Sequence, residues 1–198
     1  MITRLSLCFG LCFWIVAGAA VAAEAVYESS YRVKFSCPED ELIGDLLKGP
    51  RADWKDQSSV KERDWYSEET KRRWGYWGPP AKHYSPPAGL AGKGADWMRE
   101  RVIAAGLRLA GYTYQHHHIP DWEPPVDWPA PEKIEKVGKG LDCSNFTAFV
   151  YNWALGIKPT GDVQDQAVMT ECAGPGPNRT IPVQRIEHRA IGRAGRRC

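Results

Sequence analysis

The strongest constraint on this chain is one turn. Glycines at 138 and 140 lead into Leu141-Asp142-Cys143-Ser144, and an apolar run at helical spacing follows at once. Phe146, Val150 and Trp153 recur at i, i+4 and i+7 with Phe149 beside them, so one face of the predicted helix is apolar and has to be buried. Gly156 stands where that helix would stop, because glycine takes the left-handed end position without steric cost. Cys143 then sits at the mouth of the helix, where free N–H groups and the positive end of the macrodipole favour a thiolate. Two quieter roles fit the same residue, an inert buried thiol or half of a disulfide.

Residues 1–23 read as a secretory signal. Arg4 supplies the positive start, Leu5–Val16 the apolar run and Ala20-Val21-Ala22 the small-residue cleavage site. The apolar run is short for a membrane span, so the mature chain is expected to be secreted or periplasmic, with no stable membrane anchor after cleavage. Roughly 175 residues remain, enough for one domain with a real core and an N-terminal extension. Charge is nearly balanced, 26 Lys+Arg against 24 Asp+Glu, so nothing calls for nucleic acid as a partner. Cys8 and Cys12 leave with the signal. Cys37 and Cys172 have the option of pairing in an oxidising compartment, although spacing fixes no connectivity. A catalytic thiol has to stay unpaired.

Residues 24–94 form a charged, aromatic-rich extension and a linker. Short helices are expected around Glu39–Leu47 and Ser59–Trp74, the latter with the mixed signs of a solvated face. Gly75–Gly94, with Gly78-Pro79-Pro80 and Ser85-Pro86-Pro87, reads as a linker or an irregular wrap. A helix is predicted over Ala95–Ala110 from Met98, Val102, Ala105 and Leu109, ending at Gly111. Next come His116, His117 and His118, then a loop over Glu123–Pro131 that holds four prolines. On an extended segment His116 and His118 share a side. Two imidazoles fall short of a zinc site, and no Cys-x-x-Cys or His-Glu-x-x-His pattern adds ligands, so neither a metal nor another cofactor is expected. One of these histidines is expected in a loop near the cysteine.

The order helix, Gly111-Tyr112-Thr113-Tyr114, loop, Leu141-Asp142-Cys143-Ser144, helix resembles the NlpC-type cell-wall cysteine peptidases, across Arg101–Gln166. Gly156–Thr160, with Gln164 or Gln166 after it, resembles the family's segment beyond the helix, while Asn145 stands where the family usually has glycine. The resemblance implies an α+β, papain-like domain over 95–187, its helices packed on a small antiparallel sheet. It also implies thiol hydrolysis of an amide bond in peptidoglycan stem peptides, such as the γ-D-Glu–diamino acid bond. Cys143 would be the nucleophile, and Tyr114, Asp142 and Ser144 would line the substrate end of the cleft.

Such an enzyme needs a base, and in the family it is a histidine on a strand downstream of the cysteine. Here the only downstream histidine is His188, flanked by charge and lacking an alternating apolar strand pattern. Every lysine lies at or before Lys158, whereas arginines crowd Arg179–Arg197. The expectation is therefore a partial domain whose chain stops early or leaves its reading frame near His188. Residues 188–198 are then an out-of-frame basic tail or, alternatively, a genuine basic extension. Two functions stay open: a cysteine peptidase, and a catalytically dead wall-binding or interaction module that keeps the cleft.

Overall fold

In a computed structural model that describes residues 33–125, 127–129 and 139–184, the chain is a set of helices with a small antiparallel two-stranded sheet. The export signal over 1–23 and the tail over 188–198 lie outside the described residues. The helices are α1 (Glu39–Leu47), α2 (Glu68–Trp74), α3 (Ala95–Leu107), α4 (Cys143–Leu155) and α5 (Val163–Val168). The strands β1 (Glu171–Ala173) and β2 (Thr180–Pro182) pair with Cys172 opposite Ile181. None of the described helices is long and apolar enough to cross a membrane.

Local chemistry sets the helix ends. Helix α4 spans the run expected for it, and Gly156 closes it at φ 71°, ψ 20°. A side chain there would also strike the backbone of Tyr84 and Pro86, so this position requires glycine twice over. Helix α3 stops three residues before the predicted end, because its last turn tightens: Leu109 N–H bonds to Gly106 and Ala110 N–H to Leu107, at 3.0 and 3.1 Å. The helix expected over 59–74 is a single turn at Glu62–Asp64 followed by α2. Ser67 accepts from Thr70 N–H and starts a new helix, while Trp65 turns inward and donates its indole N–H to Val60 at 2.8 Å.

Helices α1, α3 and α4 share one core. Leu42, Ile43 and Leu46 meet Ala104, Ala105 and Leu109, together with Phe149, Val150 and Trp153. Phe146, expected on the same face, is 39% exposed and lies one turn beyond this contact. The segment 75–94 is a wrap fixed to α4. Buried Asn152 accepts from Tyr84 N–H at 3.0 Å and donates to Lys82 O at 2.7 Å, and Tyr84 and Leu90 enter the core. Residues 39–94 thus contribute to the same core as residues 95–155. A second cluster, Trp65, Ile119, Trp122 and Trp128, sits under the histidine segment.

Arg101 ties the three core helices together. It is 2% exposed, and its guanidinium grips Asp45 of α1 with two bonds of 2.7 and 2.8 Å while Nε donates to Ala154 O of α4 at 2.7 Å. A third contact runs to Leu42 O. Removing one side of a buried charged network leaves the remainder unsatisfied. Arg101→Ala is expected to cost about 3 kcal/mol in chemical denaturation. Arg101→Lys should recover little of it, since an ammonium cannot form the forked pair. A loss near zero for Arg101→Ala would show that the clamp contributes nothing.

Candidate active site

Asp142 builds the mouth of α4. Its Oδ1 accepts from Asn145 N–H at 2.9 Å and from the Ser144 hydroxyl at 3.0 Å, and its Oδ2 accepts from Asn145 Nδ2 at 2.8 Å. The result is an N-cap made of three buried side chains. From the other side, Gln166 of α5 donates to Ser144 O at 2.9 Å and Thr160 O at 2.6 Å. Of the two glutamines considered from the sequence, Gln166 is therefore the one that reaches the mouth. Cys143 is the first residue of α4, exposed and unpaired. Cys37 and Cys172 are also free thiols, both half-buried, so the bridge considered for them is not formed.

The three residues expected to line the substrate end separate into two kinds. Asp142 and Ser144 are buried and bonded to each other, whereas Tyr114 is 62% exposed. Slight desolvation, then the nearby Asp142 and Cys143, hold the Tyr114 phenol above its usual range. A cleft of about 220 Å³ lined by Thr113, Tyr114, Leu141 and Phe146 opens there. Close backbone approach makes this possible: Gly140 lies so near Thr113 O that any side chain would overlap it. Lys139 secures the approach by accepting from Asp121 N–H at 2.9 Å and by pairing with the Asp121 carboxylate at 2.8 Å.

The same approach carries the histidines in, with the alternation of an extended segment. His116 and His118 both pack on Trp77, at ring distances of 5.1 and 5.5 Å, while His117 turns the other way against Trp122 at 4.7 Å. His116 Nδ1 faces the Asp142 carboxylate at 3.8 Å and has no hydrogen-bond partner. Its ring also meets the edge of Tyr114 at 5.4 Å. The sequence placed a histidine near the cysteine without singling out His116; the i, i+2 alternation from Tyr114 was the usable signal. His118 Nδ1 bonds to Gly78 O at 2.7 Å. Among the described residues, no group of three or more His, Cys, Asp or Glu side chains is placed to hold a metal.

The site therefore holds an accessible thiol at a helix N-terminus, a carboxylate beneath it and an imidazole facing that carboxylate, the elements of nucleophilic acyl chemistry. Compared with protein-family models, curated proteins and solved structures, the chain gives no significant match.

The histidine segment also makes stability depend on pH. Burial, then the neighbouring His118 and His116, lowers the His117 pKa from 6.5 to about 4. The unfolded chain takes up this proton more readily than the folded one, so stability falls as pH drops from about 6.5 to about 4 and levels off below. Burial lowers His118 in the same direction. The His117 contribution is up to about 3 kcal/mol. Urea midpoints measured across that window should fall with pH for the wild type and fall less for His117→Phe. Equal slopes for the two proteins would remove His117 as the cause.

Proposed function

We propose that the chain is an exported, NlpC-type, papain-like cysteine peptidase acting on peptidoglycan stem peptides, with Cys143 as the nucleophile. The observation that carries this reading is the exposed, unpaired thiol at the first position of α4, above the capped Asp142. Its support from the sequence is the Gly111–Tyr114 and Leu141–Ser144 pattern, which resembles that family.

In the proposed reaction the Cys143 thiolate attacks the amide carbonyl, forming an S–C bond. Collapse of the tetrahedral intermediate breaks the C–N bond and releases the amine, and water then hydrolyses the thioester. Backbone N–H groups in the first turn of α4 favour the developing oxyanion. His116 takes the part that the family gives to a downstream histidine. With Nδ1–H turned to Asp142, its Nε2 is left as the basic nitrogen, which receives the thiol proton and returns it to the leaving amine. Tyr114 flanks the substrate on the open side.

A second reading, a wall-binding module without turnover, is favoured by the 3.8 Å separation of His116 and Asp142, which exceeds a hydrogen bond. Digestion of purified peptidoglycan, followed by release of new amino termini, separates the two. The peptidase reading expects release by the wild type, none by Cys143→Ala, and a loss of about 10²-fold or more for His116→Ala. Pelleting with peptidoglycan without any release by the wild type would establish the binding module instead.

A further inference from the structure

A second cleft, of about 540 Å³, is built against the face of α4 that turns away from Cys143. Asn145, Phe149 and Asn152 form its floor, and helical spacing puts them on the side opposite the thiol. Trp74 and Trp77 wall it. A ligand held there would not touch Cys143, so the cleft stands apart from the proposed chemistry. Two cations line it, Arg73 and Lys158. The Arg73 guanidinium lies over the Trp74 ring at 4.7 Å, held by aromatic contact. The Lys158 ammonium is half-buried and donates one bond, to Ala81 O at 2.7 Å, with its other hydrogens left over.

Among the described residues neither cation is paired with a carboxylate. Burial alone pushes the Lys158 ammonium below the usual lysine range, with no acid beside it to offset the cost. Asp162 is the only acid lining the cleft among the described residues, and its Oδ1 caps α5 by accepting from Gln164 and Asp165 N–H at 2.7 and 3.1 Å. The neutral polar groups are largely committed elsewhere. Asn152 is bonded at both ends, to Tyr84 N–H and Lys82 O, and Asn145 Nδ2 donates to Asp142. His118, which also lines the cleft, donates from Nδ1 to Gly78 O at 2.7 Å. What the cleft offers a ligand is therefore positive charge and apolar surface.

We propose that this cleft binds a small phosphate monoester with an aromatic body, Lys158 and Arg73 taking the phosphate while Trp74, Trp77 and Phe149 cover the ring. A phosphate carries a charge of about −1.5 to −2 at neutral pH, which matches two unpaired cations, and its oxygens accept charge-assisted bonds from both. A carboxylate, with a single charge, would leave one cation unmatched. A body rich in hydroxyl groups would give up water without finding replacement partners on the committed amides, whereas an aromatic body gives up little and gains contact with the indoles. The cavity is also within the usual range of small-molecule sites, roughly 300–1,000 Å³.

Isothermal titration of the full chain at neutral pH with phenyl phosphate, phenol and inorganic phosphate tests the site. Phenyl phosphate should bind at least about tenfold more tightly than phenol, which lacks the charge, and than inorganic phosphate, which lacks the ring. Arg73→Gln and Lys158→Met should each weaken phenyl phosphate by about tenfold. Arg73 is exposed, so its variant answers the question even if Lys158→Met unfolds. Cys143→Ala should bind phenyl phosphate as the wild type does, because the thiol is on the other face of α4; the site and the peptidase reading therefore stand or fall separately. No binding of phenyl phosphate, equally tight binding of phenol or of inorganic phosphate, unchanged affinity in Arg73→Gln, or loss of binding in Cys143→Ala would each overturn the proposal.

Discussion

One buried guanidinium decides how the other parts of this molecule are arranged. Arg101 reaches α1 through Asp45 and α4 through Ala154 O, so the helix that carries the candidate nucleophile is locked at its far end to two other helices. A buried cation is costly unless every donor finds a partner, and this one finds carbonyl and carboxylate oxygens from separate elements. Hydrophobic contact among Leu42, Ala105 and Trp153 supplies cohesion without direction. Arg101 supplies direction, because its planar fork accepts few geometries.

At the opposite end of α4 the same logic recurs with a carboxylate. Asp142 is 4% exposed and accepts from one backbone N–H and two side chains, which fixes the first turn and the direction in which Cys143 leaves it. The histidine segment is delivered to this mouth by the contact of Gly140 with Thr113 and by the grip of Lys139 on Asp121. Imidazole, phenol and thiol thus come from two segments joined by backbone proximity. Function, on this account, depends on a loop held in place more than on a complete sheet.

Much of this was legible in the sequence where local chemistry decides. The bounds of α1 and α4, the glycine stop at Gly156 and the irregular path of 75–94 follow from periodicity and from the φ preferences of glycine and proline. The alternation of the three histidines was legible too, since it needs only an extended backbone. What the sequence hid depends on partners distant along the chain. Arg101 reads as one more charge on an amphipathic helix until α1 is packed against it, and Lys158 reads as a solvated lysine until its ammonium reaches Ala81 O. The place of Ser144 at the substrate end came from the family resemblance alone, and its bond to Asp142 was not legible in the sequence. The break at Trp65–Ser67 was missed for a related reason: an indole seeking the second cluster overrode a helical charge pattern.

The central claim is that Cys143 forms a covalent bond to the acyl part of a stem peptide. Intact-protein and peptide mass spectrometry after rapid acid quench of a reaction with soluble peptidoglycan fragments tests it most directly. The account predicts a transient mass increase equal to the acyl fragment, located on the tryptic peptide that contains Cys143 and absent from Cys143→Ser. Hydrolysis products without any adduct on that peptide, or an adduct on Cys37 or Cys172 instead, would contradict it.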